Sequence, residues 1–348
     1  MSQPAIPGHL THAEPDLSPR QRRVLAALVT VHGRTARPVG SEMLARDSSL
    51  PLSPASVRAA LADLEDAGLL ERPHAAAGRV PSARGYEYFV RVILEPEALP
   101  PALQDELDRR LQGSARDVGH LLGEASRLIS SLTHQLGLAH AASLDQEILS
   151  ALDLEPLDDA RALMVLHLGV AAVRTLVLEL ENPLTRGELA DVCAVLRERL
   201  IGLPLAEVRV RLDSDPELVS GSAARCVVRA ASDHWVEHGP ATLLSAGMSH
   251  IAEQPEFMDV SRLGNILRVV ERGAPLDRLM AETVEGHASV RVGVDEKQPL
   301  AACSLVSYAL PGSVWGAVGV LGPRRMDYAR VLAVVDAVGS RVADLLAG

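Results

Sequence analysis

The sequence predicts an α+β protein of several domains. Three observations carry that expectation. The chain has 348 residues, more than one ordinary domain holds. Its first quarter shows three short helical patterns followed at once by two brief strand signals, and its remainder alternates strand-like runs with long helical stretches. Apolar residues make up 47% of the chain but aromatic ones only 2%. The cores are therefore built from Leu, Val and Ala, and binding modes that stack several rings on bases are disfavoured.

Residues 1–16 are rich in Pro, His and Ala and lack periodicity, which predicts a disordered arm with no signal for secretion. From Ser18 the pattern changes: Ser-Pro opens a helix, and Val24, Leu25, Leu28 and Val31 recur on one face until Gly33. Ser41 is a good N-cap for a second, short helix that carries Met43, Leu44 and Ala45 and stops at Asp47. Ser53 caps a third, with Pro54 in its first turn, Val57, Leu61 and Leu64 on one face, and Gly68 at its end. Leu69–Arg72 and Arg79–Pro81 then read as two strands joined by the loop 73–78. Three helices and a hairpin in this order are the winged form of helix-turn-helix, whose third helix lies in the major groove. Gly85–Leu94, with Tyr86, Tyr88 and Phe89, reads as a fourth helix packed back on the others, closing a winged-helix DNA-binding domain over 17–94.

Residues 95–117 form a helical linker that starts with Pro96, Pro100 and Pro101, and helical text continues to about 136. Strand-like runs follow at 162–168, 173–180, 290–294, 302–309 and 314–321. Helical text lies at 186–200, 222–237, 260–272 and 327–346. Strands divided by a helical block predict one discontinuous sheet domain, 118–185 and 273–348, interrupted by an insertion over 186–272.

Net charge is −11, yet residues 17–94 hold eleven Arg and seven acidic residues, a local excess of +4 that leaves −15 elsewhere. A basic head on an acidic body suits a chain in which one module meets phosphate and the rest stays off it. Cys193, Cys226 and Cys303 are far apart and lack CxxC spacing, so neither a disulfide framework nor a zinc ribbon follows. No run approaches the ~18 apolar residues of a membrane span. A soluble, cytoplasmic protein with no membrane partner, no cofactor and no metal is expected.

On the third helix the apolar stripe must face the core, which turns Ala55, Ala59 and Ala62 outward with Ser56 and Arg58 on the flanks. Small residues there let the helix approach base edges. Arg58 has the reach for guanine O6 and N7 or for a phosphate, and the sequence leaves both open. Ser41 and Ser53 stand at helix N-termini, where free N–H groups favour a phosphate oxygen; taken singly, both read first as caps. His74 and Arg79 lie on the wing, within reach of backbone or minor groove.

Four blocks, PVGSEMLA (38–45), the run 52–90, EQPEF (253–257) and GPRRMDY (322–328), resemble the HrcA family of heat-inducible transcription repressors in the right order, and the resemblance extends from Leu17 onward. It implies a winged helix, a GAF-like domain and a dimerisation domain inserted within it. It further implies a homodimer on double-stranded DNA, the CIRCE inverted-repeat operator of chaperone genes, with the GroEL chaperonin keeping the repressor active. The chain departs from the family pattern in three places. Ser56, Val57, Arg58, Ala59 and Ala60 replace a Thr-Ile-Arg-Asn-Glu run, Ala75 and Ala76 replace Thr and Ser in the wing, and Asp295-Glu296-Lys297 replaces a Glu-Asn. An amide and two hydroxyls are lost, so operator sequence or affinity is expected to differ.

Two other readings of the sequence compete with this one. His234-Trp235-Val236-Glu237-His238 has zinc-hydrolase spacing, but the last glutamate is Glu296, with none at the distance a third ligand needs, so a solvated helix fits better and no catalytic residue is assigned. A GAF-like domain could instead sense a metabolite, and Gly322-Pro323-Arg324-Arg325 could hold an anion before the last helix. A strand-to-helix turn capped by Asp327 is the preferred reading.

Overall fold

The computed structural model describes residues 15–46, 50–74, 77–95, 97–114, 118–141, 147–168, 172–216, 218, 220–236, 242–283, 286–294, 299–311 and 316–347. Most of the expected arm, Asp47, Ala75 and Ala76 of the wing, Glu237 and His238, and Asp295, Glu296 and Lys297 lie outside the described residues. The chain forms two compact units. One holds the described residues up to His140, Leu243–Pro311 and those from Gly316 on; the other is Ala141–Thr242.

Helix α1 (Pro19–Thr35) opens with a reciprocal capping box: Gln21 N–H donates to Ser18 Oγ at 3.4 Å and Ser18 N–H to Gln21 Oε1 at 2.9 Å. It continues past Gly33, because Ala36 at φ 53° supplies the left-handed cap. Helix α2 (Ser41–Ala45) is capped by Gly40, and Ser41, expected at the cap, is its first helical residue with no side-chain cap bond. The shift has a cause one residue earlier, where Val39 is held in an extended bridge to Arg79 and runs straight into the turn. Helix α3 (Pro54–Asp66) is capped as expected: Ser53 Oγ accepts from Ser56 N–H at 3.2 Å. Its Val57, Ala60, Leu61 and Leu64 are fully buried, and each large side chain contributes about 1.5–3 kcal/mol. Strands β1 (Leu70–Glu71) and β2 (Val80–Pro81) pair antiparallel, Leu70 opposite Pro81. Helix α4 (Ala83–Tyr88) runs into one wide π turn, Phe89–Ile93, and buries Tyr86 and Tyr88.

After α5 (Pro101–Ser114), α6 (Val118–Thr133) and β3 (Leu136–Ala141), the chain enters the second unit. There β4 (Leu149–Pro156), β5 (Arg161–Leu168) and β6 (Ala172–Glu179) make an antiparallel meander. On β5, Ala162, Met164, Leu166 and Leu168 alternate inward and share a core with α7 (Arg186–Leu200), α8 (Leu205–Ser214) and α9 (Ser222–Val236). The runs 162–168 and 173–180 were expected in one sheet with 290–321. They pair with each other instead, and the first of them with β4, in a sheet of their own.

The first unit resumes with β7 (Thr242–Ala246), α10 (Met248–Ala252), α11 (Val260–Arg272), α12 (Leu276–Ala281), β8 (Ala288–Val292), β9 (Cys303–Ala309), β10 (Ala317–Pro323) and α13 (Tyr328–Ala347). Five strands lie in the order β7-β3-β10-β9-β8. Every residue of β9 and β10 is buried, as befits strands covered on both faces. Leu136, Leu138, Cys303, Leu305 and Leu321 pack with Ile266, Val270, Leu276 and Met280 of α11 and α12. The alternate residues face α6 and α13. A Cβ at Gly339 of α13 would stand 2.3 Å from the Tyr308 ring, so that close approach requires glycine.

His140, on β3, is buried, and its Nδ1 has no hydrogen-bond partner among the described residues. Burial holds its imidazole below the ordinary 6.5, opposed by the Asp277 charge. The folded chain therefore keeps the ring neutral while the unfolded chain takes up the proton first. This contribution to stability is complete above 6.5 and is lost as pH falls toward the depressed folded value. The urea midpoint should fall between about pH 7 and 5, and less steeply in His140→Leu; equal slopes for the two chains would contradict the assignment.

Candidate nucleic-acid interface

Burying the α3 stripe sets which residues point outward. Ala55, Arg58, Ala59 and Ala62 are exposed and Ser56 is half-buried. Over residues 55–62 the outward face is therefore three methyl groups around one guanidinium, low enough for a close approach to base edges, with Asp63 and Asp66 exposed beyond it. At its N-terminal end the Ser53 and Ser56 hydroxyls lie 3.0 Å apart and the Ser53 oxygen accepts the Ser56 N–H, so Ser53 acts first as a cap. Gln21 Nε2 donates to Asp63 Oδ2 at 3.1 Å, tying α1 to the far turn of α3.

The hairpin beside α3 has a third member that the sequence did not reveal. Val39 N–H donates to Arg79 O at 2.8 Å and Arg79 N–H to Val39 O at 2.9 Å, joining the segment before α2 to the hairpin. Gly78 lies against that bridge; a Cβ there would stand 2.5 Å from the Val39 carbonyl carbon. Glu65, near the end of α3, accepts from Arg79 Nε at 2.9 Å and from an Arg72 guanidinium nitrogen at 3.1 Å. Those two hydrogen bonds, Arg79 first, hold its carboxyl below the usual carboxylate range.

The residues singled out from the sequence thus fall into two groups. Ala55, Ser56, Arg58 and Ala59 share one surface of α3 with Ser53 at its start, and His74 is exposed on the hairpin. Ser41 is half-buried in the first turn of α2. Arg79 is turned inward, its side chain only 14% exposed on Glu65, whereas Arg72, not singled out beforehand, is 37% exposed. Only their spatial convergence on Glu65, seven and fourteen residues away, distinguishes the two arginines. Eight of the eleven arginines in 17–94 are exposed: Arg20, Arg22, Arg23, Arg34, Arg37, Arg46, Arg58 and Arg72.

Elsewhere, no group of three His, Cys, Asp or Glu among the described residues is placed to hold a metal. All three cysteines are free and buried, and burial pushes the Cys303 thiol up to about 12. Asp327 Oδ1 accepts the Arg330 N–H at 3.4 Å at the start of α13, consistent with the capped turn preferred from the sequence. A cavity of about 270 Å³ opens between the segment 94–104, His287 and Leu332 and Asp336 of α13.

Comparison with known families decides what the molecule is. A family model described as the HrcA protein C terminal domain matches residues 119–332. The chain belongs to the HrcA family. It is 33% identical over 335 residues to the heat-inducible transcription repressor HrcA of Moorella thermoacetica, covering 94% of this chain and 97% of that one. It is 31% identical to the repressor of the same name from Chlorobium phaeobacteroides, covering 95% and 99%. Among solved structures, a crystal structure described only as a hypothetical protein aligns with a TM-score of 0.64 at 20% identity, over 95% of this chain and 99% of that one. At that identity the likeness to the solved structure concerns the fold, and the HrcA assignment rests on the sequence matches.

Gly78→Ala places a methyl group inside the Val39–Arg79 bridge, so the Val39 and Arg79 amides should exchange with solvent faster while those of Leu61 and Leu64 on α3 hold their protection. Unchanged exchange at Val39 and Arg79 would show that the bridge does not depend on this glycine.

Proposed function

We propose that the chain represses transcription of heat-shock chaperone operons by binding duplex DNA as a homodimer, each copy placing α3 in the major groove of one half-site of a CIRCE-type inverted repeat. The observation that supports this most directly is the outward face of α3, small and singly cationic, beside a hairpin pinned to the same helix through Glu65. In this reading the head is a winged helix, β1 and β2 its wing, and α1 to α3 its helix-turn-helix.

Within it, Ala55 and Ala59 allow approach, Arg58 and Ser56 supply polar contacts, and Ser41 and Ser53 present helix N-termini to phosphate. His74 and Arg72 are the accessible wing contacts; Arg79 acts through the wing's position. The five-stranded sheet with its helices is the GAF-like domain, and the second unit is the insertion through which two copies pair. Heat or misfolded protein would draw away the GroEL chaperonin that keeps the repressor active, and derepression would follow. The HrcA relatives carry the name of heat-inducible repressors, which supports regulation over enzyme chemistry.

Half-sites about one or two helical turns apart suit two copies related by a two-fold axis. Titration of the purified chain onto an inverted-repeat duplex and a scrambled one, with and without chaperonin, tests the reading. The palindrome should bind more tightly, and Arg58→Ala should weaken it by about 1–3 kcal/mol if Arg58 meets a base. Equal affinity for the two duplexes would overturn the operator assignment, and parental affinity in Arg58→Ala would remove Arg58 from the readers.

A further inference from the structure

Arg325 stands in the turn between β10 and α13, yet its side chain is only 13% exposed. Its guanidinium reaches two segments distant in sequence, the end of α1 and the run 254–256. One terminal nitrogen donates to Gly33 O, in the last turn of α1, at 3.0 Å. The other donates to Gln254 Oε1 at 2.7 Å and to Glu256 Oε2 at 3.2 Å, while Nε donates to Glu256 Oε1, so one edge of the fork holds the carboxylate bidentately. A planar, permanently charged fork suits this task in a way that an ammonium does not. The C-terminal end of a helix also favours a cation beside its free carbonyls.

A second row of contacts runs alongside. His32 Nδ1 and Tyr86 Oη lie 2.8 Å apart, the Tyr86 and Tyr328 rings are 6.0 Å apart between centroids, and Tyr328 Oη lies 2.8 Å from Ser304 Oγ on β9. The first helix of the head is thereby fixed to the sheet at a place unconnected to it by local sequence. These groups do not touch the α3 face.

We propose that Arg325 is a positioning residue for operator binding: it sets the angle at which the head is carried, and so the spacing at which two heads meet two half-sites. The inference rests on the operator reading above. A head that keeps only the Tyr86–Tyr328 contacts and its covalent connection would still recognise one half-site but would enforce the separation between two less strictly.

The test measures affinity of the full-length chain for a single half-site, for the full inverted repeat, and for repeats whose spacer is lengthened or shortened by one and two base pairs. Arg325→Ala should bind the half-site within about twofold of the parent, lose at least tenfold on the full repeat, and show a flattened dependence on spacer length. Arg325→Lys should fall between. Should Arg325→Ala not fold by circular dichroism, Glu256→Gln, which keeps shape and removes the countercharge, should show the same flattening. A parental spacer profile in a folded variant overturns the proposal. A parent that does not prefer the full repeat to the half-site overturns the operator reading itself.

Discussion

Burial of Val57, Ala60, Leu61 and Leu64 is the constraint from which the geometry of the head follows. These side chains fix the rotation of α3 about its own axis, because a turn of one residue's worth would bring a buried leucine to water at a cost of about 1.5–3 kcal/mol. Once that rotation is set, Ala55, Arg58, Ala59 and Ala62 have nowhere to point but outward. The cap at Ser53 fixes where the helix begins, and Gln21 on α1 grips its far turn through Asp63. A helix seated this firmly presents a preorganised surface, which lowers the ordering cost of any contact it makes.

The arginines of this chain do two different jobs. Arg58 and most of the basic residues of the head are exposed and give it local positive charge within an acidic chain. Arg79 and Arg325 are turned inward and organise structure: one fastens the hairpin to α3 through Glu65, the other, paired with Glu256, fastens the end of β10 to α1 through Gly33 O. The acidic partner decides the role in each case. Counting charge along the sequence cannot separate these uses, because Glu65 and Glu256 differ from solvent-facing acids only in what the fold brings to them.

Local pattern carried much of the fold. The Ser-Pro signals placed the starts of α1 and α3, strand-like apolar runs placed β5, β6, β8, β9 and β10, and period-3.6 text placed α7, α9, α11 and α13 close to where they stand. Partnership between strands was not legible. The runs 161–168 and 172–179 join β4 in a separate sheet, and β3, whose LGLAHA has no alternation because both of its faces are covered, gave no strand signal. At the site, the outward face of α3 was readable because one helix contains all of it. The inward turn of Arg79, the Val39 bridge and the cap at Gly40 depend on backbone meeting across the hairpin and were not.

The proposed placement of α3 in the major groove is tested most directly by tethering a DNA-cleaving reagent to Ala59→Cys. The three native cysteines are buried, so the label goes to the new thiol. Cleavage should fall at two positions related by two-fold symmetry, one inside each half-site and from the major-groove side. Cleavage confined to the minor groove or to flanking DNA would contradict the seating of this helix in the operator.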